Sequence, residues 1–247
     1  MSFTDRFADR ATDYVAGRPS YPAAAIDALF DALGDPGEIV VADLGAGTGI
    51  SSRQVAARGA HVLAIEPNEA MRKAAEPDPN VEWRAGTAEH TGLIEAEVDL
   101  VTAFQAFHWF DRAKALDEIV RILRPGGRAA VVYNERDESD PFTAAYGALV
   151  RRYQTDATER RRADGLAAFA AFEGWVAKRR VEFRNGQSLD ADDVLSRARS
   201  TSYLPKTGSI ADELHGDIRA LVAQHAQDGR VTMALRTIVV IGDVGAG

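Results

Sequence analysis

The sequence predicts an α/β fold built on a doubly wound, mostly parallel sheet. Three observations carry this. The stretch Val40-Val41-Ala42-Asp43-Leu44 reads as a buried central strand, and it runs into Gly45-Ala46-Gly47-Thr48-Gly49 before a helix opens at Ile50. Strand-like and helix-like segments then alternate from 39 to 134 with short connections, the pattern of parallel strands joined by crossover helices. The chain has 247 residues, 46% of them hydrophobic, which is ample for a full core and too apolar for disorder. That length predicts one domain with a small helical cap.

In chain order, residues 1–19 are polar and aromatic, with Phe3, Phe7, Tyr14 and Arg18. Ser20 is a candidate helix cap with Pro22 in the first turn, an apolar stripe of Ile26, Leu29, Phe30 and Leu33, and a stop at Gly34. The first strand is expected over 39–43 and a crossover helix over 50–58. His61–Ile65 is the second strand, and Asn68 caps a short helix to about 75. Strands follow over 81–85 and 98–103. Asp111 opens a helix that Arg124-Pro125-Gly126-Gly127 ends, and a fifth strand covers 129–133. Beyond it the pattern is more helical, with helices over 142–153, 163–178, 190–200 and 210–227, and strands over 181–184 and 231–241. The expected division is an arm and helix over 1–38, a ligand-binding core over 39–134, and cap elements with the last strands over 135–247.

Bulk properties exclude several classes. There is no cysteine, so disulfides, thiol nucleophiles and thiolate zinc sites are excluded, which fits a reducing cytoplasm. A formal net charge of −8 disfavours a nucleic-acid partner. The first residues lack the apolar core of a signal peptide, and no apolar run reaches membrane-spanning length.

The glycines stand at 45, 47 and 49, so the third arrives one residue earlier than in the dinucleotide fingerprint Gly-x-Gly-x-x-Gly. Glycines there let the chain turn sharply and let a ligand approach the backbone. Asp43, just before the turn, suits a cationic ammonium better than a pyrophosphate. Glu66 lies at the end of the next strand, where a carboxylate can accept both hydroxyls of a ribose.

The glycine turn, Glu66 and Leu123-Arg124-Pro125-Gly126-Gly127 together resemble the small-molecule branch of class I S-adenosylmethionine-dependent methyltransferases. The aromatic N-terminal segment and Gln105-Ala106-Phe107-His108-Trp109 are also similar to the trans-aconitate methyltransferase-like proteins. The resemblance implies a Rossmann-like methyltransferase fold, a seven-stranded sheet whose last strand runs antiparallel. It implies that Gly45, Ala46, Gly47 and Gly49 cradle the methionine end of S-adenosylmethionine with Asp43 near its amino group. Glu66 would bind the ribose, and Pro67 and Met71 would flank the adenine. Ala88 and Glu89 would close over the adenine, and Phe104 and Gln105 would line the methionine side. Tyr14 and Arg18 would form a lid, Arg18 pairing with the methionine carboxylate.

The resulting reading is a methyltransferase acting on a small organic acceptor, at a carboxylate or hydroxyl oxygen. A protonated acceptor needs a base, and His108 is the candidate; its ordinary alternative is a packed loop histidine. A carboxylate acceptor needs none. The arginine runs 151–152, 160–162 and 178–180 read first as solvated helix faces, and second as attraction for an anionic substrate. No metal is expected. Two rivals stand beside this reading: a non-catalytic sensor of S-adenosylmethionine, and a nicotinamide-dependent oxidoreductase, which the early third glycine and the Pro-Gly-Gly element oppose.

Overall fold

In the computed structural model, residues 19–201 and 203–246 are described. The expected lid residues Tyr14 and Arg18 lie outside them. In chain order the elements are α1 (Ala23–Phe30), β1 (Val40–Leu44), α2 (Ile50–Ala56), β2 (His61–Ile65), α3 (Glu69–Lys73), β3 (Val81–Arg84), β4 (Val98–Phe104), α4 (Arg112–Ile122), β5 (Leu123–Arg136), α5 (Pro141–Tyr153), α6 (Thr158–Ala171), β6 (Ala177–Leu189), α7 (Ala191–Ser200), α8 (Ser209–His225) and β7 (Val231–Asp243). The strands form one seven-stranded sheet in the order β3-β2-β1-β4-β5-β7-β6. β1 pairs in parallel with β2 and β4, β2 with β3, and β4 with β5. β7 runs antiparallel to β5: Gly126 N–H donates to the Gly245 carbonyl, Val244 N–H to Gly127 and Asp137 N–H to Ala234. This is the Rossmann-like fold with an antiparallel last strand that the resemblance implied.

The chain divides into two compact units. One holds Ser20–Tyr133, Glu159–Phe183 and the chain from Thr237. Its strands alternate sides, as a pleated sheet requires. Ala42, Leu44, Ile65, Val101, Val131 and Phe169 pack in one cluster. Val41, Val62, Leu100, Val132, Ile26 and Leu29 pack in another. Both sets are almost free of solvent, so the central strands are covered on both faces. The other unit holds Asn134–Thr158 and Arg184–Arg236, around Phe142, Tyr146, Val150, Leu195, Leu214 and Ile218. Among the described residues, no helix is long and apolar enough to cross a membrane.

Several boundaries differ from the sequence expectation. α1 starts at Ala23 with Pro22, not Ser20, at its cap, because the Pro22 carbonyl accepts from Ala25 and Ile26. β5 takes in the Leu123–Gly127 stretch read as a helix stop. Val98 pairs with Leu123 and Leu100 with Arg128, so five residues of β5 step past two of β4 and bulge outward. Gly127 sits in that bulge because a Cβ there would lie 2.8 Å from the Arg124 carbonyl oxygen. α6 runs Thr158–Ala171 rather than 163–178. Trp175, past its end, donates from Nε1 to the Phe169 carbonyl at 2.9 Å and is buried. Lys178 is part of β6.

Candidate active site

The carboxyl ends of β1, β2 and β4 bring the candidate residues together within the first unit. Gly45, Gly47 and Gly49 all have positive φ, at 68°, 61° and 78°. Each is glycine for a different spatial reason. A Cβ on Gly45 would sit 2.9 Å from Ala106 Cβ, and one on Gly49 would sit 2.7 Å from the Trp83 ring. A Cβ on Gly47 would meet nothing within 4 Å among the described residues. Gly47 is therefore where the turn is open, while its neighbours serve internal packing.

The N–H groups of this turn are largely spent inside the protein. Gly45 and Ala46 donate to the Ile65 carbonyl, at 2.9 and 3.2 Å, and Gly49 donates to Ala46. Gly47 donates to Glu66 Oε2 at 3.0 Å. Glu66 Oε1 accepts from Asn68 N–H at 2.9 Å, so one carboxylate links the glycine turn to the start of α3. Burial raises the Glu66 pKa above its ordinary value, against the pull of those two N–H groups. In place of free N–H donors, the turn offers an open backbone face at Gly47 and the carboxylate beside it. Thr48 Oγ1 is buried there with no hydrogen-bond partner among the described residues, a vacancy a polar ligand group can fill.

Asp43 is wholly buried. Its Oδ2 accepts from Ser51 Oγ at 2.9 Å and Ser52 Oγ at 2.7 Å, and its Oδ1 from Thr102 Oγ1 at 2.9 Å. Burial pushes its pKa up to about 6, the three hydroxyls pulling the other way. Asp43 thus fastens β1, α2 and β4 beneath the turn and is not an exposed acceptor.

Of the remaining candidates, Met71 and Ala88 are buried and Pro67 is exposed. Glu89 Oε1 accepts the Asp111 N–H at 2.8 Å, holding the start of α4. Phe104 is buried against Tyr21, ring centroids 4.7 Å apart, in the core. Gln105 follows it at φ +53°, a conformation that costs a non-glycine residue about 1 kcal/mol and concentrates at functional turns. Its Oε1 accepts from Arg162 at 3.0 Å.

His108 lies in a single 3-10 turn, Phe107–Trp109, and is 8% exposed. Its N–H donates to Tyr133 Oη at 3.0 Å, and its Nδ1 lies 3.1 Å from the same oxygen. Its ring lies 4.6 Å from that of Trp109. α6 packs on this turn through Gly165, where a Cβ would stand 3.4 Å from His108 Cα and Cβ. Among the described residues, no group of His, Asp or Glu side chains is placed to hold a metal ion.

Residues 42–131, from β1 into β5, match the family profile described as a methyltransferase domain. This stretch is a methyltransferase domain. It contains the glycine turn, Glu66, Glu89 and His108, and it stops just short of Tyr133. The chain is 41% identical over 140 residues to an uncharacterized methyltransferase of Mycobacterium bovis, covering 56% of each chain. It is 35% identical over 153 residues to an uncharacterized methyltransferase-like protein of Schizosaccharomyces pombe, covering 61% of this chain and 60% of that one. The chain thus spans little more than half the length of these curated relatives. The solved structure of a putative type II methyltransferase from Anaeromyxobacter dehalogenans is similar at a TM-score of 0.65 and 25% identity, over 92% of this chain and 97% of that one.

Sequence reasoning missed Ser51, Ser52, Thr102, Trp83 and Tyr133, and it read Arg162 only as part of the run 160–162, not as a partner of Gln105. The serine pair just inside α2 was the signal for the first two. Trp83, Tyr133 and Arg162 reach the site only through strand pairing and helix packing.

Proposed function

We propose that the protein transfers a methyl group from S-adenosylmethionine to an oxygen, carboxylate or hydroxyl, of a small organic molecule. The observation that carries this is the opening at Gly47 with the Glu66 carboxylate on its N–H. A backbone face without a side chain, beside a buried acid at the end of the neighbouring strand, fits a nucleoside whose ribose hydroxyls donate to that acid. Bound S-adenosylmethionine supplies an activated methyl group on a sulfonium.

In this reading Gly45, Ala46, Gly47 and Gly49 hold the methionine end, Asp43 supplies negative charge below it, and Glu66 takes the ribose. Pro67, Met71, Ala88 and Glu89 form the adenine side, and Gln105 borders the reacting end. Tyr14 and Arg18 remain the proposed lid. Because the methyl donor is already activated, orientation of the acceptor supplies much of the rate. His108 takes the proton when the acceptor is a hydroxyl, and a carboxylate acceptor leaves it a positioning role.

Isothermal titration of the purified protein with S-adenosylmethionine, S-adenosylhomocysteine and NAD tests the cofactor. Micromolar binding of the first two and none of NAD is expected. Screening oxygen acceptors for S-adenosylhomocysteine release then tests the reaction. Binding of NAD in place of S-adenosylmethionine would overturn the reading.

A further inference from the structure

Two left-handed glycines, Gly47 and Gly49, bracket Thr48. Glycine has more backbone states open to it than other residues, so a turn built this way keeps one shape only if its peptide groups are tied down. The Gly47 N–H is tied to Glu66 and the Gly49 N–H to Ala46. The two carbonyls that follow are tied to one residue, Arg53 in α2. Its N–H donates to the Gly49 carbonyl at 3.0 Å, and its Nη1 donates to the Thr48 carbonyl, also at 3.0 Å. Helical side chains lean toward the helix N-terminus, which is how Arg53 reaches back to a carbonyl that precedes Ile50, the first residue of α2.

This placement runs against the field of the helix, whose start carries partial positive charge and disfavours a guanidinium there. Two acceptors offset that cost, the Thr48 carbonyl and Glu76 Oε2, which lies 3.4 Å from Arg53 Nη2. The Glu76 side chain is 69% exposed against 21% for Arg53, so solvent screens the ion pair and the carbonyl is the firmer tether. The guanidinium sits against the turn itself: a Cβ on Gly49 would stand 3.4 Å from Arg53 Nη1, beside the Trp83 ring.

The geometry points to Arg53 as a positioning residue for the proposed cofactor site: by fixing the Thr48 and Gly49 carbonyls it holds the glycine turn in the form that receives S-adenosylmethionine. This rests on the methyl-transfer reading above and adds a residue which that reading does not use. A ligand that binds one form of a turn loses affinity in proportion to the time the turn spends in other forms. Arg53 therefore acts on affinity through the backbone, from within the helix that the turn opens.

The test uses the full chain, titrated calorimetrically with S-adenosylhomocysteine, and hydrogen exchange followed by mass spectrometry with and without that ligand. Arg53→Met keeps the side-chain stem and removes its donors. It is expected to bind S-adenosylhomocysteine about tenfold more weakly, the size of a lost hydrogen bond from a charged donor. Exchange should quicken in the peptides covering 45–49 and nowhere else, and saturating ligand should return it to the wild-type rate. Arg53→Lys, a smaller change that keeps a cationic donor, is expected to show both effects at reduced size. Glu76→Ala should bind as wild type does. Unchanged affinity in Arg53→Met, quickened exchange throughout the sheet and helices, or an equal loss of affinity in Glu76→Ala overturns the positioning role and leaves the methyl-transfer reading intact. Failure of the wild-type protein to bind S-adenosylhomocysteine removes that reading instead, while exchange over 45–49 still reports whether Arg53 holds the turn.

Discussion

Glu66 Oε2 accepts the N–H of Gly47 across 3.0 Å, tying the end of β2 to the turn after β1. The same carboxylate, through Oε1, starts α3 at Asn68. Removing it does two things: it withdraws the proposed partner of the ribose, and it leaves the Gly47 N–H without its acceptor. Glu66→Ala should weaken S-adenosylmethionine binding by about 10- to 100-fold, the size of a lost hydrogen bond to a charged group. Glu66→Gln keeps an acceptor for the turn but removes the negative charge. It should hold its melting temperature near wild type while still binding more weakly. Titration calorimetry checks both, and unchanged affinity in the pair would remove Glu66 from the binding assignment.

Gly47 and Gly49 separate open space from packing space. A side chain on Gly47 enters open volume, so Gly47→Val should fold at the expense of a left-handed β-branched residue, about 1–2 kcal/mol, yet lose S-adenosylmethionine binding. Gly49→Ala puts a Cβ 2.7 Å from the Trp83 ring and should lower stability more than the size of the change suggests. Denaturant unfolding and ligand titration on the two variants should therefore diverge. A Gly47→Val protein that binds normally would refute the open face as the binding surface.

Asp43 makes stability depend on pH with a definite sign. Its ordinary pKa is 3.8, and burial raises it to about 6 in the folded protein. Between these values the folded state holds a proton that the unfolded chain releases. The stability tied to this group is therefore full below the unfolded pKa and is lost as pH rises through the folded one. The difference corresponds to at most about 3 kcal/mol. Asp43→Asn removes this dependence. Its stability relative to wild type should improve between about pH 4 and about pH 6, as followed by urea unfolding. Glu118, held down to about 2 chiefly by its hydrogen bond from Arg121, has the opposite sign but is common to both proteins and cancels. A variant-to-wild-type difference that ignores pH would show that Asp43 is ionised throughout.

The sheet was legible because its signals are local. Val40–Leu44 is apolar apart from Asp43 and Val62–Ile65 is wholly apolar, and Asn68 caps α3 by accepting from Ala70 and Met71 as its residue type suggests. The place of Glu66 at the end of β2, beside the glycine turn, was readable from its distance to the glycines. The partners of these residues were not, because they arrive from far along the chain. Thr102 stands 59 residues from Asp43 and Arg162 stands 57 from Gln105. The role of Asp43 was also hidden: an acid before a glycine turn reads as facing a ligand, and only burial among three hydroxyls shows it fastening strands. α6 was misplaced because its start depends on Asp156, whose Oδ1 takes the Thr158 N–H at 2.8 Å, in a stretch without apolar periodicity.

The contact between His108 and Tyr133 decides what His108 can do for a hydroxyl acceptor. Tyr133 Oη already accepts the His108 backbone N–H at 3.0 Å. If the phenol proton points to Nδ1, 3.1 Å away, then Nε2 of the neutral ring carries the ring proton and His108 can only donate. If Nδ1 carries the proton and gives it to the phenol oxygen, Nε2 is bare and can act as base. A base role therefore requires the second arrangement, with Tyr133 Oη accepting twice. Nitrogen-15 NMR of histidine-labelled protein, assigned by comparison with His108→Gln, should show the Nδ1–H form for this residue. Tyr133→Phe should then let the two forms mix and cost about 1–3 kcal/mol of stability through the N–H left unmet in the core. Methyl transfer to a hydroxyl should fall in that variant through kcat, with S-adenosylmethionine affinity unchanged. An Nε2–H signal at His108 in the wild-type protein would remove the base and leave a carboxylate, which needs none, as the acceptor.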